Sequence, residues 1–549
     1  MQFLIDELRR IQKDLKKHSM REIMHSKWKL TTYIIGSLLG AFLFSIVYFF
    51  QKNECNVDFH SFNLWIIWII SALAMFFLFY VSDAVRLYLI KVNNRVQNVE
   101  KNKKIGYLAF SMIFLVLMID YLAMYPGWFS YDGPGQAFVF LVEGKLDAHH
   151  PVLHTLLLSG CIQLGRIIFN SATIGYGFYT LIQILIVAVA LSISFCYLWK
   201  WTKCFWIVCF SYIIILFNPI FLNLVVISAH DIIFGAFFLL TIIYFIKLIK
   251  SRGSEKFRRS DSLMLLFYMM MSSLFEKQGI YIYLVVFVIA MIGWKELRKR
   301  LLSIIIFVAI VVFMITGPVY STLGICSDSP TEKISVPLLQ LTRVVNYAPE
   351  TLNNDELESY YRFVPEEVAG QYLPAISDTI KDFMDKDYYA DHKMEFFELW
   401  FQVGIKNPGI YIDAFVALVE GYFYPGAEGI SAWGVVAGFS DSLTDKYTIE
   451  QHALVPFLQS VIVTPGQSFF GGHVLLSFWV SISFAFWVMF YAGVSMIANK
   501  DWESMVVVIF NVIFFGILML GPVSCIRYVF PMMLCIPMFL SMIWMKTTD

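Results

Sequence analysis

Long apolar runs constrain this chain more than any motif in it. They cover 30–50, 63–82, 105–124, 174–198, 204–222, 231–249, 261–276, 279–294, 300–318, 472–497, 503–522 and 526–545, and 58% of all residues are hydrophobic. A helix needs about 20 mostly apolar residues to cross a hydrocarbon core, where every backbone N–H and C=O must find its partner within the segment. Continuous runs of this kind, unlike alternating strands of about ten residues, exclude an outer-membrane barrel. The fold class expected is an all-α polytopic integral membrane protein with about twelve transmembrane helices.

Charge sets the expected orientation. The 41 basic and 41 acidic residues cancel in sum but are unevenly placed. Arg9, Arg10, Lys13, Lys16, Lys17, Arg21, Lys27 and Lys29 precede the first run; 83–104, Lys200 with Lys203, Lys247 to Arg259, and Lys295 to Arg300 follow alternate runs. By the positive-inside rule these are cytoplasmic, as are both termini. Segment 319–471 has 21 Asp and Glu against 8 Lys and Arg, which fits an external, partly water-exposed region.

Four divisions follow. Residues 1–29 carry Phe3, Leu4, Leu8, Ile11 and Leu15 at helical spacing among cations, as an amphipathic helix on the anionic inner leaflet would. Residues 30–318 form a transmembrane core with an external loop at 125–173; 319–471 is an external, mostly helical region; 472–549 holds the last transmembrane helices. The first run reads as a signal anchor, without a cleavable leader. Stretch 152–169 is apolar but contains His154, Gln163 and Arg166, and letting it span would put every later basic cluster outside. It is therefore expected to lie along the outer surface. Helices are expected at 335–347, 353–362, 391–406 and 409–421, between prolines.

The eight cysteines show no metal-ligand spacing; Cys55 and Cys326 are the two placed to face outside. No Walker loop or dinucleotide fingerprint is present, and nothing suggests a nucleic-acid partner.

This topology gathers Asp132, His149, His150, Asp231, Glu276, Lys277, Arg343 and Arg527 at the external face. Each has a structural explanation as well. Asp132-Gly133 is a turn element, Asp231 is placed to cap a helix, and Lys277 and Arg527 suit snorkelling at helix ends. Asp120 either lines the same cavity or is structural. The aromatics in Gly421-Tyr-Phe-Tyr-Pro425 suit an interfacial belt or a sugar-stacking platform.

The order of these features resembles the GT-C superfamily of integral membrane glycosyltransferases, which includes protein O-mannosyltransferases and lipid A aminoarabinose transferases. Tyr131-Asp132 matches the acidic residue of the first external loop. His149-His150-Pro151 matches the His-Pro that opens a juxtamembrane helix. Asn218-Pro219 leads to Asp231 as the second acidic position; Phe275-Glu-Lys277-Gln-Gly279 and Arg527-Tyr528-Val-Phe-Pro531 resemble later patterns. The likeness covers 105–320 well and 500–545 loosely. Ser335 to Arg343 is similar to a stretch in bacterial membrane proteins of that superfamily. The first loop lacks the Asp-Glu pair of several relatives, and Asp231 has no acidic neighbour.

The resemblance implies transfer of a sugar from a polyprenyl-phosphate-linked donor on the outer face of a bacterial cytoplasmic membrane. The acceptor would be an envelope polymer, a glycolipid or a protein, and membrane lipids surround the site. Asp132 and Asp231 are the expected catalytic carboxylates, with Asp132 as the base. Lys277, Arg343 and Arg527 are expected on the donor phosphate, and His149 and His150 beside the substrate. The residues define no metal site; a divalent cation held by a second carboxylate is an option, as is none. The rival readings are a transporter or flippase of lipid-linked saccharides, which would place charges near the bilayer midplane, and an inactive scaffold.

Overall fold

The computed structural model describes residues 26–53, 56–93, 103–129, 132–252, 257–325, 329–427, 447–463 and 474–544. Expectations for the amphipathic segment 1–25 and for Cys55 and Cys326 fall outside these residues. The described cysteines are free thiols.

The elements in chain order begin with α1 (Lys27–Lys52), α2 (Phe62–Asn93) and α3 (Lys103–Ala123). Then come β1 (Trp128–Phe129), α4 (Gly133–Leu141), α5 (Val152–Phe169), α6 (Ala172–Thr202), α7 (Phe205–Leu216), α8 (Pro219–Val225) and β2 (Ile227–Ser228). After them run α9 (His230–Lys250), α10 (Arg259–Phe275), α11 (Gly279–Gly293) and α12 (Arg298–Met314). The later helices used below are α13 (Ser335–Tyr347), α14 (Asn354–Phe363), α15 (Lys393–Lys406), α16 (Pro408–Val419), α17 (Ser483–Ala498), α18 (Trp502–Leu518) and α19 (Phe530–Met542).

Among the described residues, seven helices are long and apolar enough to cross a membrane, or eight if the bent pair α7 and α8 counts as one. The twelve spans expected from the sequence exceed this. Residues 261–276 fold as α10, a helix of 17 residues whose first turn carries Arg259 and Asp261 and which is not among the helices long and apolar enough to cross. The last three apolar runs fold as helices of 10–17 residues. The first is shortened by a break at Val480–Ser481 before α17 and the second by Gly521-Pro522 after α18, while the third carries Pro531 in its first turn and runs on through Pro537 to Met542. Val152–Phe169, assigned to the surface by charge, is itself long and apolar enough to cross. It doubles back along α6: Gly165 has no room for a side chain against the Gly175 backbone.

Helix α9 is the axis. Of its apolar window, 89% is buried inside the protein, against 22% for α3. It packs on α6, α10, α18 and α19. Its 21 residues rise about 30 Å, so its two ends reach opposite faces. At its C-terminal end Lys247 pairs with Asp261 at 2.7 Å and Lys250 with Glu503 at 3.3 Å. The candidate site is at the other end.

A separate hydrophobic core built on Leu338, Leu341, Tyr360, Phe363, Phe396 and Leu399 organises the region from α13 to α16. Its helices fall within two residues of the expected ranges. The region is tied to the segment before Arg527: Ser377 N donates to Pro522 O at 2.9 Å, Ile376 bridges Val523, and Ser524 Oγ donates to Leu418 O at 2.6 Å. Tyr422 and Phe423, read from sequence as belt or platform residues, are neither. Both are buried, with Phe515 packed edge-on against both rings and Tyr422 OH donating to Val523 O.

Candidate functional site

Two short strands organise the site. Trp128 pairs with Ile227 and Phe129 with Ser228, in parallel. Such short parallel pairs need outside support, and α6 provides it. Tyr176 OH donates to Trp128 O at 2.6 Å, while Gln183 Nε2 donates to Val225 O at 2.7 Å and Ile227 O at 2.8 Å. Close approach is possible because Gly127 has φ of +117°, and a Cβ there would meet Val226 O at 2.8 Å. Three residues beyond Phe129 is Asp132; three beyond Ser228 is Asp231.

Asp132 occupies the N-cap position of α4 but makes no side-chain cap bond. Its Oδ2 instead accepts from Nη2 of Arg527, 395 residues away in sequence. Burial pushes this carboxyl up, but the Arg527 guanidinium beside it, together with His150 and His230, outweighs burial and lowers it. Asp231 does not cap its helix either, since Ala229 is the N-cap and no side-chain cap bond forms. Its side chain is only 8% exposed, its Oδ2 makes no hydrogen bond among the described residues, and Arg527 Nη1 lies 3.9 Å away. Arg527 therefore sits between two carboxylates, with its plane 5.0 Å from the Tyr528 ring centre.

Histidines line one side. His149 and His150 rings contact edge-on at 4.4 Å, and His150 and His154 approach His230 at 6.5 and 6.0 Å between ring centres. Burial pushes the His150 imidazole down, toward its neutral form, against the pull of the Asp132 carboxylate. Lys277 Nζ donates to His149 O at 2.8 Å, which fixes the α10–α11 turn to the histidine segment. His230 Nδ1 lies 3.2 Å from Glu276 Oε2. Deeper in, the His154 ring bridges Gln136 Oε1 at 2.8 Å and Tyr179 OH at 2.7 Å, and Tyr179 OH donates onward to Gln183 Oε1 at 2.7 Å. This chain ties α4, α5 and α6 to the β2 support.

The fold thus brings together Asp132, Asp231, His149, His150, Lys277 and Arg527. Arg343 is engaged elsewhere, on Tyr372 OH at 3.4 Å, on Asn56 Oδ1 at 3.3 Å and over the Tyr347 ring. It joins the α13–α16 region to the α1–α2 turn. Asp120 is buried with no hydrogen bond to either carboxylate oxygen among the described residues. Sequence reading passed over His230, although the His-Asp dipeptide opening an apolar helix was the available signal. His154 was read only as a flaw in a span, and Tyr179 and Gln136 carried no signal.

Charged and imidazole side chains gathered at one end of a buried helical axis, within a bundle of membrane-crossing length, define a polytopic helical membrane protein with a polar site near one face. Residues 142–549 match the model of a family of unknown function, DUF6020, and the chain belongs to that family. No curated protein and no solved structure matches it.

Proposed function

We propose that the protein is a membrane glycosyltransferase of the GT-C kind, moving a sugar from a polyprenyl-phosphate-linked donor to a cell-envelope acceptor outside a bacterial cytoplasmic membrane. The observation that carries this reading is the placement of Arg527 between Asp132 and Asp231 at the end of the α9 axis. An arginine held by two carboxylates is a preformed anchor for a phosphate, which it grips in the same bidentate manner.

In this reading the donor phosphate draws Arg527 away from Asp132. Losing its cation raises the proton affinity of that carboxylate and makes it a base only when donor is bound. The acceptor hydroxyl oxygen then bonds to the anomeric carbon and its proton passes to Asp132. The bond from that carbon to the phosphate oxygen breaks, and Arg527 and Lys277 stabilise the departing polyprenyl phosphate. His149 and His150 flank the sugar. The orientation that puts this face outside rests on the basic clusters at the opposite ends of the helices.

A transporter of lipid-linked saccharides is the second reading, favoured by one observation, the 70° bend between α7 and α8. Asn218 at that bend is used structurally, accepting from Ile220 N and Phe221 N and donating to Trp479 O. The α9 midsection is apolar apart from Thr241, which donates to Phe237 O. Charged groups at the ends of α9 and not at its mid-depth favour transfer over transport.

Comparing the envelope glycans of a deletion strain with wild type by mass spectrometry tests the proposal. Loss of one sugar decoration, with its lipid-linked donor accumulating on the outer leaflet, supports it. Donor confined to the inner leaflet would assign transport, and unchanged glycans would refute both.

A further inference from the structure

The three groups on the far side of Arg527 have a geometry that the phosphate anchor does not use. His230, Asp231 and Glu276 each offer a ligand atom within 4.8 Å of the others. His230 and Asp231 come from the first turn of α9, and Glu276 from the residue closing α10. The 3.2 Å between His230 Nδ1 and Glu276 Oε2 is close to the ~3 Å edge of a coordination shell whose bonds are about 2.1 Å.

One further feature marks the cluster as a ligand set and not as a finished hydrogen-bond network. Asp231 is over nine-tenths buried, yet its Oδ2 makes no hydrogen bond among the described residues, with Arg527 Nη1 no nearer than 3.9 Å, while His230 Nδ1 meets only the Glu276 carboxylate. A buried carboxylate oxygen left in this state is costly and calls for a partner.

We propose that His230, Asp231 and Glu276 bind one first-row divalent cation. One imidazole and two carboxylates suit Mn2+ or Zn2+ better than Mg2+ or Ca2+, which favour all-oxygen shells. Three protein ligands leave positions open, as in catalytic sites. The binding claim stands on the geometry alone. The use of the ion rests on the transferase reading: it would neighbour Arg527 and take an oxygen of the same donor phosphate. Asp231 is then a ligand, which leaves Asp132 as the base.

The test uses purified full-length protein in detergent, stripped with chelator and titrated with Mn2+ while the signal of free Mn2+ is followed by electron paramagnetic resonance. One Mn2+ per chain is expected, with 14N coupling from a single imidazole in the wild-type spectrum and displacement by Zn2+. His230→Ala and Glu276→Gln should each weaken binding at least tenfold, while Asp261→Asn at the opposite end of the bundle should leave it unchanged. The proposal is overturned by no bound Mn2+ at millimolar concentration, by absence of the 14N coupling, or by unchanged binding in both variants. The wild-type coupling decides the matter even if a variant does not fold. No substrate enters the measurement: bound ion without any glycan phenotype would sink only the transferase reading, and transfer by a chain that binds no ion would sink only the ion.

Discussion

Phe129 and Ser228 are register partners in a parallel pair, and through them Asp132 and Asp231 stand at the same offset on adjacent segments. One strand follows α3 and the other follows α8, so about a hundred residues of intervening helix are closed into a loop whose two ends carry the carboxylates. Parallel pairing needs a crossover connection, and here that crossover is the α4–α8 helical segment. The spacing of the two acids is thus set by backbone pairing, on which Arg527 then draws.

Gly133 follows from that pairing. A Cβ on it would collide with the Ser228 hydroxyl and approach Phe129 at 3.0 Å. Gly133→Ala should therefore separate the two strands and cut sugar transfer at least tenfold, with a lower unfolding temperature. Adding Ser228→Ala removes the worst contact and should recover part of both. Transfer assays and thermal melts of the two variants check this; a fully active Gly133→Ala would mean the pairing does not set the site.

Asp132→Asn keeps the size and hydrogen-bonding capacity of the side chain while removing the proton acceptor. Turnover should fall by about two to four orders of magnitude if base catalysis is its role. Donor binding should persist, because Arg527 is still present. Single-turnover kinetics beside a donor-binding isotherm separate the effects, and near-normal turnover would discard the base assignment.

Legibility from the sequence followed the physics of each feature. Membrane helices announce themselves by composition, so runs such as 231–249 were readable at once, and the helices of the α13–α16 region were readable from proline punctuation. Span number was not, because crossing needs unbroken length, and two of the C-terminal runs are interrupted by the break at Val480–Ser481 and by the Gly521-Pro522 turn. Asp132, Asp231 and Arg527 were placed on one face by counting spans, but the same counting also collected Arg343, whose partners Asn56 and Tyr372 form a joint between regions. A face is two-dimensional and a site is not. The two-residue strands are below any periodicity signal, and the His-Asp dipeptide that marks His230 gives no hint of Glu276, which only the fold brings against it.

Orientation is checked without any substrate. Thr351 lies in an exposed turn of the α13–α16 region, whereas Lys299 is exposed in the first turn of α12, in the basic cluster at 295–300. Thr351→Cys should react with an impermeant thiol reagent in intact cells, and Lys299→Cys only after permeabilisation. Labelling in the reverse order would turn the molecule over and place the site in the cytoplasm.

The α13–α16 region has its own stability handle. Asn353 and Glu356 form a reciprocal cap on α14, with Glu356 N donating to Asn353 Oδ1 at 2.8 Å and Asn353 N to Glu356 Oε2 at 3.0 Å. Burial pushes the Glu356 carboxyl up, but Lys406 at 2.5 Å and the Asn353 N–H outweigh it and hold the carboxyl below its ordinary value. A carboxyl lowered by folding contributes stability above its unfolded value, and that contribution is lost as pH falls through the folded one. Asn353→Ala should cost about 1 kcal/mol. Wild type should exceed Glu356→Gln in resistance to proteolysis in this region at pH 7, and the two should converge in acid. A gap that widens on acidification would show that the sign is wrong.

Arg527 is the most exacting case, because its removal disturbs both fold and chemistry. Arg527→Gln leaves Asp132 and Asp231 buried without their cation, and breaking such a pair typically costs about 3–5 kcal/mol. A loss of donor binding in that variant alone would therefore be ambiguous. Asp132→Asn combined with Arg527→Gln replaces the closer ion pair by two neutral amides and leaves only Asp231 without its cation, so stability should return in part while affinity for the lipid-linked donor stays at least tenfold below wild type. Arg527→Lys keeps the charge but not the fork that reaches Asp132 and Asp231 together, and should fold, with donor affinity between wild type and the double variant. Acceptor affinity should be the same in all three, since a neutral hydroxyl has no charge for Arg527 to match. Melting temperature, donor binding and acceptor binding measured on the same preparations decide it: donor affinity that recovers along with stability in the double variant would show Arg527 to be structural.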